Sequence, residues 1–121
     1  MDELIARLVA NVGIDKTAAE NAVAIILNFL RKEGPADKVQ ALIDRLPGAE
    51  ALLQAHQDDA GGGMFGMGGI MGAGTKLMAA GLSMSQVQGV TRETMAFARE
   101  QAGEDAIGEI VGVIPGLGQF I

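Results

Sequence analysis

The sequence feature that most constrains the fold is an internal repeat. Residues 8–53 and 76–121 align without gaps at a constant offset of 68 residues. Apolar positions and helix-start signals coincide in the two segments, which is the pattern of a helical unit that stacks against a second copy of itself. We therefore predict one helical unit used twice. Six pairs are identical: Gly13/Gly81, Phe29/Phe97, Arg31/Arg99, Asp37/Asp105, Pro47/Pro115 and Gly48/Gly116.

Hydrophobic periodicity predicts helices and no strand. Apolar residues recur every three or four positions in about residues 2–12, 17–32, 85–101 and 104–113, and in a shorter segment that ends near residue 45. Gly-Pro or a single glycine follows several of these segments, as expected at helix ends. Pro47 suits the first turn of a further short helix. Two capping boxes are predicted in matching places, Thr17 with Glu20 and Ser85 with Gln88.

These patterns predict the fold class and the domain organisation. We expect an all-α, compact orthogonal bundle of about six to eight helices in two pseudo-twofold halves. The whole chain, 1–121, is one domain, because each half alone is too short to bury a sufficient core. Repeat 1 covers about 2–56, a Gly/Met-rich hinge about 57–74, and repeat 2 about 75–121. Residues predicted at the shared centre are Leu27, Phe29, Leu30, Met95 and Phe97.

Charge and composition exclude several classes of partner. The net charge is −6 and the chain has no Trp or Tyr, which argues against binding to a nucleic acid or to an anionic membrane surface. Without cysteine there are no disulfides and no thiolate chemistry. The chain has no apolar run long enough for a transmembrane segment, and its start, Met1-Asp2-Glu3, is acidic where a signal peptide would be basic. We expect a cytoplasmic protein.

Motifs that could carry chemistry are weak in this chain. Residues 61–66 satisfy G-x-G-x-x-G, and residues 69–76 nearly match a phosphate loop, but neither follows a predicted strand. A cluster of His56, Asp58 and Asp59 reads as a solvated helix end. A set of four carboxylates in the second half does not require a site, because two of them begin a predicted helix, where the helix dipole favours acidic residues. We predict no catalytic, cofactor or metal site, and no enzyme. The four carboxylates are Glu100, Glu104, Asp105 and Glu109.

Over nearly its whole length the chain resembles small bacterial helical proteins that are grouped as domains of unknown function. The run Val12-Gly13-Ile14-Asp15 before an alanine-rich helix and the run from Leu46 to Leu53 (LPGAEALL) carry the resemblance. The run from Lys76 to Leu82 (KLMAAGL) and the ending from Ile114 to Gly118 (IPGLG) are similar to a related proteobacterial group. The resemblance implies a helical bundle and assigns no activity and no functional residue.

The apolar second half suggests the function. From Gly61 to Val90 only Lys76 is charged, and no residue from Ile110 to Ile121 is charged. We expect a non-enzymatic interaction protein that self-associates into a homo-oligomer or docks a protein partner through this half. The alternative is a binding module for a lipid or other apolar small molecule between the halves. A third is an enzyme that uses acidic residues and a divalent cation. The predicted interaction surface comprises Met64, Phe65, Met67, Ile70, Met71, Phe120 and Ile121.

Overall fold

A computed structural model describes residues 2–46, 48–55 and 69–114, with the backbone alone for 69–73. In these ranges the chain forms seven helices and no strand, which confirms the predicted all-α class. The helices are α1 (Asp2–Asn11), α2 (Lys16–Glu33), α3 (Ala36–Arg45), α4 (Ala49–Ala55), α5 (Gly69–Ala79), α6 (Met84–Ala102) and α7 (Glu104–Val113).

The two long helices begin two residues before the predicted capping boxes. Asp15 is the N-cap of α2, and its carboxylate accepts a hydrogen bond of 2.8 Å from the amide of Ala18. Ser83 is the N-cap of α6, where it forms a complete capping box with Gln86. The prediction of Thr17 and Ser85 as caps is therefore wrong. Asp and Ser are at least as good as Thr at this position, and the earlier cap lengthens each helix by two residues.

The end of α5 shows how glycine stops a helix here. Gly81 has a φ of +102°, which side-chain-bearing residues rarely adopt. The amide of Leu82 donates a hydrogen bond of 3.3 Å to the carbonyl of Leu77. The amide of Gly81 donates one of 3.0 Å to the carbonyl of Met78. This pattern is a Schellman motif. Gly13, the matching residue after α1, also has a positive φ, of +82°, so the glycine predicted to end each first helix does so.

The helix boundaries recur at the offset found in the sequence. Helices α1, α2 and α3 shifted by 68 residues fall on α5, α6 and α7 within one residue at each end. Contacts between the halves are also reciprocal, because α1 packs on α6 and α5 packs on α2. The two long helices α2 and α6 contact each other directly. The pseudo-twofold relation itself stays a prediction, which superposition of the two halves would test.

The last part of the predicted hinge is helical. We expected the hinge to reach residue 74, but α5 already begins at Gly69, so the last six residues of the predicted hinge are helical. Glycine is a poor helix former, which explains the sequence-based expectation. Packing of α5 against α2 offsets that low propensity, because tertiary contacts supply most of the stability of helices in proteins.

One continuous core joins the two halves. Four of the five residues predicted at its centre, Leu27, Leu30, Met95 and Phe97, are at most 2% exposed. Phe29 is only half-buried and packs against the side of this core, so the prediction of full burial is wrong for that residue. The reason is that α2 is covered by α1, α3, α4, α5 and α6, and Phe29 lies beside Asn28 on the narrow edge that remains open.

Candidate interaction surface

Two exposed methionines flank the turn between α5 and α6. Met78, in the last turn of α5, is 50% exposed, and Met84, the first residue of α6, is 60% exposed. Large apolar side chains are usually buried, so two such residues beside one turn are an informative departure from that pattern. We call Met78 and Met84 the methionine edge.

The turn that carries the methionine edge is held on both sides by hydrogen bonds. The Schellman motif ends α5, and the amide of Ala80 also bonds to the carbonyls of Lys76 and Leu77 at 3.0 and 3.1 Å. On the other side, the capping box of Ser83 and Gln86 begins α6. Leu82, between the two motifs, is buried and anchors the turn to the core. The backbone of the methionine edge is thus fixed, while the unbranched methionine side chains can adapt to a contacting surface.

The stretch of sequence that contains the methionine edge is uncharged. No residue from Leu77 to Thr91 carries a charge, although the chain as a whole has a net charge of −6. The centres of protein interfaces are depleted of charged side chains, because burying an unpaired charge is costly. The absence of charge and the exposed methionines therefore favour contact with another apolar surface.

Two other large apolar side chains are exposed in the part of the chain that the structure describes. Val113, at the end of α7, is 54% exposed, and Val9 on α1 is 41% exposed. Val9 belongs to an open groove of about 410 Å³ that is also lined by Asp2, Ile5, Ala6 and Lys16. Three of the four exposed large apolar residues thus lie in the second half, where the sequence predicted the contact surface.

A smaller groove of about 260 Å³ lies between α2 and α5. Its lining combines two polar residues with three apolar ones: Asn21, Lys76, Ile25, Ala79 and Ala80. Since α2 belongs to the first half and α5 to the second, this groove lies where the halves meet.

One charged contact between the halves joins α1 to α6. Arg7 donates two hydrogen bonds to the carboxylate of Glu100, of 2.7 and 2.9 Å, and its guanidinium lies 5.5 Å from the centre of the Phe97 ring. The hydrogen bond from Arg7 lowers the pKa of Glu100, and its acceptance by Glu100 raises the pKa of Arg7. A bidentate pair of this kind fixes orientation as well as distance. The pair links α1 to α6 at the surface.

A buried hydroxyl group in α6 lacks a hydrogen-bond partner. Thr94 is 1% exposed, and its Oγ1 makes no hydrogen bond within the described ranges. Thr91, one turn earlier, is also buried, but its hydroxyl donates to the carbonyl of Val87 at 2.9 Å. The matching residues of the first half, Ile26 and Val23, are apolar and buried. Thr94 therefore places a polar group at a position that the repeat otherwise uses for packing.

Most of the predicted interaction residues cannot be placed. Five of the seven lie outside the described residues: Met64, Phe65, Met67, Phe120 and Ile121. Ile70 and Met71 lie in the first turns of α5, where only the backbone is described. The prediction for all seven residues therefore stays a prediction.

The structure separates the motifs that resembled chemical sites. Residues 69–76, the near match to a phosphate loop, lie within α5 and form no loop. Glu100 pairs with Arg7, and Glu109 accepts a 2.5 Å hydrogen bond from Lys38. No group of three or more potential metal ligands occurs among the described residues. The G-x-G-x-x-G run at 61–66 and the set His56, Asp58 and Asp59 lie outside that part of the chain.

No helix within the described ranges is both long enough and apolar enough to cross a membrane. Comparison with known proteins found no match, since no family model, no curated protein and no solved structure is significantly similar to the chain.

Sequence reasoning missed the methionine edge and the Arg7–Glu100 pair. Met78 and Met84 fall in or next to segments with helical periodicity, and periodicity alone does not tell which side of a helix a partner helix covers. Arg7 and Glu100 are 93 residues apart, and nothing in either local sequence marks them as a pair. The neutral stretch after Lys76 was the one available signal for the methionine edge.

Proposed function

We propose that this protein is a non-enzymatic helical interaction protein, which contacts a second copy of itself or a protein partner through the apolar surface of its second half. The observation that carries the proposal is the methionine edge, where Met78 and Met84 are half-exposed or more within an uncharged stretch. Exposed apolar patches on soluble proteins commonly mark interaction sites. Methionine is frequent on surfaces that accept more than one partner, because its flexible side chain repacks.

The size of a stable interface sets what else must take part. A standard interface buries about 800 Å² on each partner, which is far more than two partly exposed methionines can present. The proposal therefore includes the neighbouring apolar residues predicted from the sequence, above all Met64, Phe65 and Met67. The proposed relationship to small bacterial helical proteins is consistent with this function but adds no partner.

The experiment that tests the proposal measures the oligomeric state of the full chain. Light scattering and sedimentation are carried out on the natural chain and on the double variant Met78→Ser/Met84→Ser. Val9→Ser is the matched control, because Val9 is an exposed apolar residue of the first half. We expect a concentration-dependent oligomer that dissociates in the double variant and persists in the control.

A third variant, with Met64, Phe65 and Met67 changed to Ser, asks whether the surface extends along the chain, and it should dissociate as well. A natural chain that is monomeric up to concentrations on the order of 100 μM, well above the dissociation constant of a standard interface, contradicts self-association. An oligomer that survives both methionine variants places the contact elsewhere and also contradicts the proposal.

A further inference from the structure

The two residues of the methionine edge differ in accessibility from the other methionine side chain that the structure describes. Met78 is 50% exposed and Met84 is 60% exposed, whereas Met95, later in the same helix as Met84, is 0% exposed. The Schellman motif and the capping box hold the backbone at both exposed residues, and the buried Leu82 lies between them. A dissolved reagent therefore reaches these two thioethers without any unfolding, and reaches Met95 only when the core opens.

Methionine thioethers are the only sulfur groups of this chain. The sequence has seven methionines and no cysteine. An oxidant therefore meets no thiol, which in other proteins can be oxidised and can then form a disulfide. Oxidation of sulfur in this chain falls on methionine, and the exposed side chains are the first that a dissolved oxidant meets.

Oxidation of a methionine changes its polarity and not its charge. One oxygen of hydrogen peroxide is transferred to the thioether sulfur, which is oxidised by two electrons. The O–O bond breaks, an S–O bond forms, and the other oxygen leaves with both protons as water. The product is a polar sulfoxide, which disrupts contacts that the apolar thioether favours. Its oxygen is an acceptor that is costly to bury without a donor.

We propose that Met78 and Met84 form a reversible oxidation site, at which hydrogen peroxide switches the methionine edge from an apolar to a polar surface. The preferential oxidation of these two residues follows from their exposure alone. The loss of contact that oxidation causes rests on the proposed interaction function. Methionine sulfoxide reductases reverse the reaction, and both side chains lie on the surface, where such an enzyme can reach them.

Oxidation at the methionine edge leaves the fold intact. Neither side chain belongs to the hydrophobic core. The helix ends beside them are held by backbone hydrogen bonds and by the side-chain cap of Ser83. Loss of contact after oxidation is therefore an effect at the surface. Oxidation of Met95 would instead place a polar group in the core.

The first measurement follows oxidation residue by residue. The natural chain is treated with hydrogen peroxide at a protein concentration low enough for dissociation, and samples are digested for peptide mass spectrometry. Cleavage after Lys76 and Arg92 places Met78 and Met84 in one peptide and Met95 in the next, and fragmentation resolves the pair. We expect both exposed residues to be oxidised at least about tenfold faster than Met95, which reacts only from open states of the core. Similar rates for all three residues overturn the inference.

The second measurement connects oxidation to association. Light scattering compares the natural chain before peroxide, after peroxide and after treatment with a methionine sulfoxide reductase. We expect oxidation to weaken self-association on the order of tenfold to a hundredfold, as burial of an unpartnered polar group does, and reduction to restore it. Circular dichroism of the oxidised chain should show unchanged helix content.

A matched variant assigns the effect to the methionine edge. Met78→Leu/Met84→Leu keeps large apolar side chains at both positions and removes the sulfur. At the peroxide dose that converts both residues in the natural chain, this variant should stay associated. If it dissociates as fully as the natural chain, other methionines carry the effect and the inference is wrong.

Failure of this inference and failure of the proposed function give different results. An oligomer that persists after Met78 and Met84 are both oxidised overturns the inference and leaves the proposed function standing. A natural chain that is monomeric before treatment contradicts the proposed function, and the relative oxidation rates alone then decide whether the two residues form the oxidation site.

Discussion

The buried hydroxyl of Thr94 offers a direct test of the core. Thr94→Val replaces a buried Oγ1, which has no hydrogen bond to any residue that the structure describes, by a methyl group of nearly the same shape. A buried hydroxyl without a partner costs about 1–3 kcal/mol, and a buried methyl group adds a hydrophobic gain of about 0.8 kcal/mol. Because the shape match is imperfect, we expect the free energy of unfolding to rise by about 1–2 kcal/mol. For a chain of this length the melting temperature should rise by about 3–8 °C.

The same substitution one turn earlier is the control. Thr91→Val removes a hydroxyl that donates to the carbonyl of Val87, and loss of such a bond costs about 0.5–1.5 kcal/mol. The methyl gain of about 0.8 kcal/mol applies to Thr91→Val as well. Urea unfolding should therefore give a change of about −0.7 to +0.3 kcal/mol for Thr91→Val, below the rise expected for Thr94→Val. Destabilisation of Thr94→Val by more than about 0.5 kcal/mol, beyond the range of neutral substitutions, would show that this hydroxyl has a partner in solution. Equal shifts in the two variants would refute the assignment of their different bonding.

Two further predictions concern the contacts of α1 and α6. Phe97→Ala should cost about 3–5 kcal/mol in urea unfolding, as a fully buried aromatic does. Phe29→Ala should cost clearly less, because Phe29 is only partly buried, and equal losses would contradict this difference in burial. The hydrogen bond from Arg7 lowers the pKa of Glu100 in the folded state below its ordinary value of 4.5. The stability that this pair contributes is therefore present above pH 4.5 and is lost as the pH falls through the lowered pKa. The stability difference between the natural chain and Glu100→Gln should therefore shrink on acidification below pH 4.5, and a difference that is the same at pH 7 and pH 3 would show that the Arg7 contact makes no contribution.

Helix positions could be predicted closely because their signals are local. Apolar spacing placed α6 and α7 within a residue or two of their observed ends, and Gly13 and Gly81 were recognised as stops because glycine alone adopts a positive φ without strain. The caps were misplaced by two residues, since both Ser83 and Ser85 satisfy the local pattern. The two serines can be distinguished as caps only from the conformation of the turn before α6, which depends on how the preceding chain enters it.

The candidate sites could be predicted less well, because they depend on which faces of the helices meet. Phe29 and Phe97 occupy the same place in the repeat, yet one is half-buried and the other is fully buried against Arg7. Their local sequences are both apolar and contain no sign of this difference. The groove lined by Asn21 and Lys76 likewise depends on how α2 and α5 meet, which neither local sequence shows.

The sequence by itself determined the all-α class, the succession of helices and their recurrence at a constant offset. These properties follow from hydrogen bonding and apolar spacing within about four residues, which the chain carries locally. The tertiary structure decided that α1 of the first half packs on α6 of the second, that α5 packs on α2, and that Met78 and Met84 stay exposed. These outcomes depend on the shapes of surfaces that come from residues distant in the sequence, because close packing is a property of the assembled core.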